Sequence, residues 1–298
     1  MRDIFGQAPF MQGACPKRFR PSVGRERFTG FLAIRYIHMK IKTCNIVYCS
    51  PTHNSRDIAL AAGTAFGCGQ SITDLTRDLS CDEILFSSDE VAIIAAPVYA
   101  GRVAPFALER LGRLRGDDTP AILVVTYGNR DYEDALIELH DTMTGRGFVT
   151  VAAGAFVGEH SYSRRGMPIG EGRPDTDDLA LACEFGDRAA EKLSSAKDVR
   201  DIAVPHIKGN RPYRSVSAPT PAAPLTLDGC VLCGTCVDVC PTYAIRITAN
   251  GVETEKNLCV KCCACVKECP EGVRRFDTPY TEMLHKNFSS PREPELFF

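Results

Sequence analysis

Eight cysteines near the C-terminus carry the clearest chemistry in this 298-residue chain: Cys230, Cys233, Cys236 and Cys240 followed by Pro241, then Cys259, Cys262, Cys265 and Cys269 followed by Pro270. Both runs read C-x2-C-x2-C-x3-C-P, offset by 29 residues from position 230 to position 259. Three thiolates on one tight loop can hold three corners of a cubane, while a fourth on a following helix is carried toward another cluster. The spacing therefore predicts two [4Fe-4S] clusters with crossed ligation. Zinc is the structural rival, since C-x-x-C pairs also build four-cysteine sites. Zinc sites use two separated pairs, however, and neither the third cysteine nor the trailing C-P belongs to that pattern. Disulfides fit less well still.

Over about residues 226 to 278 these motifs resemble the bacterial two-cluster ferredoxins. The resemblance implies Cys230, Cys233, Cys236 and Cys269 as ligands of one cluster, and Cys259, Cys262, Cys265 and Cys240 as ligands of the other. Cys263 has no counterpart in the first repeat, where Gly234 stands. A free cysteine most often packs as a small apolar residue, and Cys263 is read that way. A thiol beside the cluster that tunes it is the other reading.

The elements that must position these residues need more than one domain, because single cores stop growing at about 250–300 residues. Composition is that of an ordinary globular chain, with 44% hydrophobic and 24% charged residues and a formal net charge of −2. No apolar run approaches the roughly 20 residues that cross a bilayer, so no membrane span is expected. The chain has 15 cysteines. Eight are claimed by clusters that need reduced thiolates, which points to a reducing cytoplasm in an anaerobic cell.

Residues 1–40 carry eight basic and two acidic residues without periodicity. A secretory signal is disfavoured because the apolar stretch Phe31–Ile34 is cut by Arg35. A nucleic-acid role finds no support downstream. The segment reads as a basic N-terminal extension, partly disordered, with Met39 just ahead of the first convincing strand.

From Thr43 short apolar runs alternate with amphipathic ones. Residues 43–49, 91–96, 121–126 and 149–153 read as buried parallel strands, with a weaker one near 71–75. Helix candidates lie near 55–66, 104–115, 132–145 and 176–195. This alternation predicts an α/β domain over 41–200 with a doubly wound, five-stranded parallel sheet. Ligands of such sheets bind at the carboxyl ends of the strands. Three loops fall there: Ser50–Ser55, Pro97–Pro105 and Tyr127–Asp134. The first is rich in hydroxyls and amides and opens a helix, which suits either a phosphate or a plain N-cap.

Together the three loops resemble the phosphate loop and the two ring loops of flavodoxins, and so imply the flavodoxin strand order and FMN. Carried over, Ser50, Thr52, Asn54 and Ser55 hold the phosphate, with His53 as a further donor. Tyr99 flanks one face of the ring beside Ala100 and Gly101, and Tyr132 stacks on the other. Gly128 and Asn129 approach the ring edge with their backbone. The loop departs from the flavodoxin pattern: His53 stands where glycine is common, and Pro51 removes an N–H donor. A further polar loop, Glu159–Ser163, is assigned to the flavin rim or to docking of the cluster domain.

Residues 201–226 hold five prolines and read as a semi-rigid linker that keeps a 227–278 ferredoxin domain near the flavin without fixing it. The tail 279–298 is expected to pack back on a domain. The whole chain is similar to the flavodoxin-ferredoxin fusions of anaerobes, the EFR-type family ferredoxins. The resemblance implies an electron-transfer protein that couples one-electron clusters to FMN, with soluble redox proteins as donor and acceptor. The rival is a flavin-dependent reductase of a quinone or nitro acceptor that uses the clusters as an internal wire. No proton-transfer or nucleophile constellation stands out, so no catalytic residue is assigned. Residues 228–298 carry ten acidic against eight basic residues, which favours a partner with a basic face.

Overall fold

The computed structural model describes residues 40–216 and 220–298. The basic segment expected at 1–40 lies outside the described residues apart from Lys40. Among the described residues, no helix is long and apolar enough to cross a membrane.

The N-terminal half runs β1 (Thr43–Tyr48), α1 (Asn54–Gly63), β2 (Gly69–Asp74), β3 (Glu90–Tyr99), α2 (Pro105–Leu111), β4 (Thr119–Tyr127), α3 (Ala135–Thr144), β5 (Phe148–Val157) and α4 (Thr176–Ser195). β1 pairs in parallel with both β2 and β3, β3 with β4, and β4 with β5. The order 2-1-3-4-5 is the flavodoxin-like one of doubly wound sheets. The strands are continuous apolar runs because both faces are covered. Adjacent residues go to opposite cores: Val47, Ile94 and Leu123 face α2 and α3, while Ile46, Ile93 and Ile122 face α1 and α4. The weak segment near 71–75 is the exposed edge strand β2.

α1 and α4 approach so closely that a Cβ on Gly186 would overlap the Ala62 carbonyl. Asp175 caps α4 by accepting from the Asp177 and Asp178 amides, and the Asp178 carboxylate accepts in turn from the Asp175 amide.

The C-terminal half holds α5 (Thr235–Asp238), the hairpin β6 (Ile245–Thr248) and β7 (Gly251–Thr254), α6 (Ala264–Lys267), α7 (Pro279–Phe288) and β8 (Glu295–Phe297). Its two cysteine runs repeat in backbone as well as in sequence. Left-handed residues recur in pairs: Leu232 with Lys261 (φ 56° and 58°), Gly234 with Cys263 (88° and 57°), Tyr243 with Gly272 (55° and 64°). Each run then enters a four-residue helix, α5 or α6. Leu225–Thr226 pairs antiparallel with Arg274–Arg275 and closes this half.

Two segments are more tightly bound than their composition suggests. The proline-rich stretch begins as a strap: Ile202 and Ile207 are buried in the two sheet cores. Asp134 accepts from the Asn210 and Arg214 amides, and Asp141 accepts from Arg211 and Tyr213. The tail adds β8 to the sheet antiparallel to β5, so a sixth strand covers the edge that the five-strand expectation left open.

Candidate functional site

Two cavities in the C-terminal half sort the cysteines. One is lined by Cys230, Cys233, Cys236 and Cys269, with Gly234 and Arg274 in its wall. The other is lined by Cys240, Cys259, Cys262 and Cys265, together with Cys263. Each therefore brings three cysteines of one run to the fourth cysteine of the other. α5 and α6 cause the exchange, since each begins at the third cysteine region and carries the fourth away from its own loop. Among the described residues, no three His, Cys, Asp or Glu side chains converge on a single-ion site.

Burial pushes the Cys236, Cys259, Cys262 and Cys265 thiols above their ordinary value. Cys233 is exposed, and the Thr235 hydroxyl beside it holds its thiol lower. The Ala244 amide donates to Cys240 Sγ at 3.2 Å, and Arg274 Nη2 to Cys265 Sγ at 3.6 Å.

The cavity of Cys240, Cys259, Cys262 and Cys265 faces the strand ends of the sheet domain. Arg110 Nη2 donates to the Pro241 carbonyl at 2.6 Å, and Arg77 Nε to the Cys240 carbonyl at 3.3 Å. The Arg77 guanidinium lies 4.6 Å over the Tyr243 ring, whose hydroxyl donates to the Arg77 carbonyl at 2.8 Å. Lys267 pairs with Glu159 at 2.8 Å and His53 with Glu268 at 3.1 Å. Tyr162 packs 5.3 Å from Phe276 and 6.4 Å from Tyr280, centroid to centroid. Of the two roles weighed for the Glu159–Ser163 loop, these contacts are those of docking.

The three loops Ser50–Ser55, Pro97–Pro105 and Tyr127–Asp134 lie at the carboxyl ends of β1, β3 and β4, and many of their side chains are already engaged. Ser50 Oγ accepts from the Arg56 amide, Ser55 Oγ bonds Thr126 Oγ1 at 2.6 Å, and Asn54 Nδ2 donates to the Glu159 carbonyl. His53 caps α1 in the left-handed region, φ 69°, where glycine is the easier residue, and its side chain makes no capping bond. The Asn54 and Ser55 amides at the start of α1, which have no intrahelical acceptor, and the Thr52 hydroxyl are the remaining donors there. Arg56, bonded to His53 Nδ1 at 3.0 Å, adds a cation already paired with the Asp57 carboxylate at 2.8 Å. A phosphate fits this end through backbone and charge more than through the hydroxyls the sequence suggests.

At the ring end, Tyr99 is half-buried, 6.2 Å from the Phe106 ring. Burial and then Cys262 and Cys263 push its hydroxyl well above its ordinary value. Ala100 and Gly101 are both left-handed (φ 53° and 78°), and the Gly101 carbonyl accepts from the Asp134 amide. Gly128 lies under the His160 ring. Tyr132 lies elsewhere, and the Asn129 side chain is turned to the tail. Tyr132 is 1% exposed, its hydroxyl donates to Glu295 Oε2 at 2.7 Å, and its ring packs against Tyr127. Asn129 Nδ2 donates to the Phe288 and Ser290 carbonyls. The tail covers both, so the structure gives Tyr132 no open ring face.

A family model of the 4Fe-4S binding domain matches residues 225–246. The match spans the first cysteine run, Cys230 to Cys240. No curated protein matches the chain. Among solved structures, a flavodoxin from the domain Archaea is 16% identical, with 51% of this chain and 98% of that one covered at a TM-score of 0.37. A Streptococcus pneumonia TIGR4 flavodoxin is 18% identical over 51% of this chain and 98% of its own, at 0.35. A Fusobacterium nucleatum flavodoxin bound to flavin mononucleotide is 13% identical over the same shares, at 0.35. Overlaps this loose add nothing to the strand order, which carries the fold by itself.

The cations Arg77, Arg110 and Arg274 have no place in the cysteine or loop motifs. Their signals were faint but present. Arg110 falls on the buried face of α2 with Phe106, Ala107 and Leu111. Arg274 occupies the position that corresponds, 29 residues earlier, to apolar Ile245.

Proposed function

We propose that this chain is an electron-transfer protein holding one [4Fe-4S] cluster in each cysteine cavity and FMN at the strand-end loops. The finer kinship with the EFR-type fusions of anaerobes belongs to the same proposal. Cys230, Cys233, Cys236 and Cys269 hold one cluster, and Cys240, Cys259, Cys262 and Cys265 the other. The observation that carries this reading is the sorting of the cysteines, three from one run with the fourth of the other in each cavity. Clusters exchange single electrons and a flavin one or two, so the bound groups together convert between one- and two-electron chemistry.

The protein's own residues do the rest. Thr52, the α1 amides and Arg56 receive the FMN phosphate. Tyr99 flanks the ring and stands beside Cys262 and Cys263, so the flavin loop and the inner cluster loop share a wall. Tyr132 and Asn129 anchor the tail over that end of the sheet. Arg77, Arg110 and Lys267 fix the cluster domain against the loops. His160 and Tyr162 are packed among Gly128, Phe276 and Tyr280, which supports a relay over a reductase with a substrate cavity at those side chains.

Anaerobic purification with iron, sulfide and flavin analysis tests the proposal. About eight irons and one FMN per chain are expected for two cubanes and one flavodoxin-type site. Zinc in place of iron, or absence of flavin, overturns it. Because buried thiols must lose protons to bind iron, reconstitution of the iron-free chain releases protons to the medium.

A further inference from the structure

Arg274 is 4% exposed, and no carboxylate pairs with it among the described residues. Its Nη1 donates to Thr226 Oγ1 at 2.7 Å and its Nη2 to Thr254 Oγ1 at 2.9 Å. Nη2 also reaches Cys265 Sγ at 3.6 Å, and Nε is buried without a partner. The same side chain lines the cavity of Cys230, Cys233, Cys236 and Cys269. A guanidinium thus lies between the two cysteine sets, touching a sulfur of one and the wall of the other. Two hydroxyls do not compensate a buried cation, and an uncompensated charge in an interior costs several kcal/mol, about what a buried ion loses on leaving water. A purely structural tie between the Arg274 strand and the β6–β7 hairpin needs only a neutral donor. A full charge at this point asks for an anion on each side.

We propose that Arg274 is the shared counter-cation of the two clusters, favouring the reduced state of both. The inference rests on the two-cluster reading above. Each reduction adds one electron, hence one negative charge, to a thiolate-ligated cluster, and a fixed cation nearby stabilises that added charge. A cation placed between the clusters acts on both, so the equilibrium between them stays balanced for transfer in either direction.

The test is a potentiometric titration followed by EPR on the full chain, in the native protein, Arg274→Gln and Arg274→Lys. Iron is counted first, and a native chain with far fewer than eight irons sinks the two-cluster reading itself, not the role of Arg274. With iron intact, Arg274→Gln is expected to lower the equilibrium constant for reduction at least tenfold at both clusters, ~59 mV for one electron. Arg274→Lys, which keeps the charge, is expected to stay within about threefold of native at both, a factor worth less than 1 kcal/mol. Either cluster left unmoved by Arg274→Gln at full iron content overturns the proposal. Should Arg274→Gln fail to take up iron, pulsed EPR of the reduced native protein carrying 15N-arginine decides. An arginine nitrogen coupling at both clusters that is lost in Arg274→Lys supports the placement, and its absence or its persistence in that variant refutes it.

Discussion

Replacing Arg110 with methionine tests whether the cluster domain is held to the sheet domain by buried cations. Arg110 is 7% exposed and donates to three backbone carbonyls: Leu75, Thr76 and, across the domain boundary, Pro241. No carboxylate pairs with it among the described residues, since Asp78 nearby is bound to Arg113. Hydrogen bonds from a charged donor contribute about 1.5–3 kcal/mol each, and the two carbonyls left stranded, Thr76 and Pro241, cost about 1–3 kcal/mol apiece, while the Leu75 carbonyl still accepts from the Asp78 amide. Removing the cation also relieves a desolvation penalty of several kcal/mol. The difference leaves a net loss of about 2–4 kcal/mol, most of it in the contact with Pro241, where the chain has the least else to hold it. Arg77 is the internal control. It offers one long bond to the Cys240 carbonyl and a stacking contact with Tyr243, while the Tyr243 hydroxyl bonds its backbone and survives substitution. Such a partly exposed cation–π contact is worth about 0.5–1 kcal/mol.

Amide hydrogen exchange at Tyr243 and Ala244, whose N–H groups bond the Cys240 carbonyl and sulfur, reads the opening of this contact directly. For Arg110→Met, exchange there is expected to accelerate roughly 30- to 700-fold, from 1.4 kcal/mol per factor of ten. For Arg77→Met the same scale gives no more than about fivefold. Equal effects of the two substitutions, or an Arg110→Met effect below about threefold, a fraction of a kcal/mol, would refute the reasoning that burial, and not mere proximity, sets the strength of the contact.

Cys263→Gly should leave the iron content unchanged and shift stability by no more than about 1 kcal/mol, because relief of a left-handed residue offsets the lost side chain and the added freedom of glycine; a fall in iron would make Cys263 a ligand. Gly186→Ala should destabilise by about 1–3 kcal/mol in thermal unfolding despite its better helix propensity, since its Cβ meets the Ala62 backbone; an unchanged or raised midpoint would contradict the close approach of α1 and α4. Burial, with Lys267 and Arg130 nearby, pushes His160 down to about 4. Its unfolded value is near 6.5, so only the unfolded chain takes up this proton between those values. Stability therefore falls by about 3 kcal/mol as pH drops from 6.5 toward 4. His160→Gln should flatten that part of the pH profile, and an identical slope in the variant would remove His160 as its source.

The parts of the molecule legible in the sequence are those fixed by local repetition. Val47, Ile94 and Leu123 sit in uninterrupted apolar runs because helices cover both faces of their strands, and such runs need no knowledge of the partner strand. The cysteine spacing carries its own geometry, down to the left-handed positions that recur at Gly234 and Cys263. What escaped depends on residues far apart in the chain. The Tyr132 hydroxyl meets Glu295 at a separation of 163 residues, so position in a ring loop gave no hint that the tail would bury it. Five prolines between 201 and 226 read as a spacer. The carboxylates of Asp134 and Asp141, which make its first half a strap, belong to a helix that the linker's composition does not reveal.

Docking breaks the equivalence of the two cysteine runs. Val231 and Val260 are the same position of the repeat, yet Val231 is 62% exposed while Val260 packs against the core of the sheet domain. Leu232 is 47% exposed beside the exposed Cys233, whereas Cys262, at the repeat position of Cys233, is 7% exposed. On the proposed reading, the outer cluster is therefore the one that outside proteins can approach, and the inner one is the neighbour of Tyr99. Burial alone would make the inner cluster the harder to reduce, because a low dielectric penalises added negative charge. Two of the three cations absent from the motifs, Arg77 and Arg110, lie against the Cys240–Pro241 backbone of that inner site, and the third, Arg274, bonds its Cys265 sulfur. Their placement opposes the penalty where it is largest. Electrons entering at the outer cluster then meet no steep rise on the way to the flavin loops, which a relay needs and a sheltered structural cluster does not.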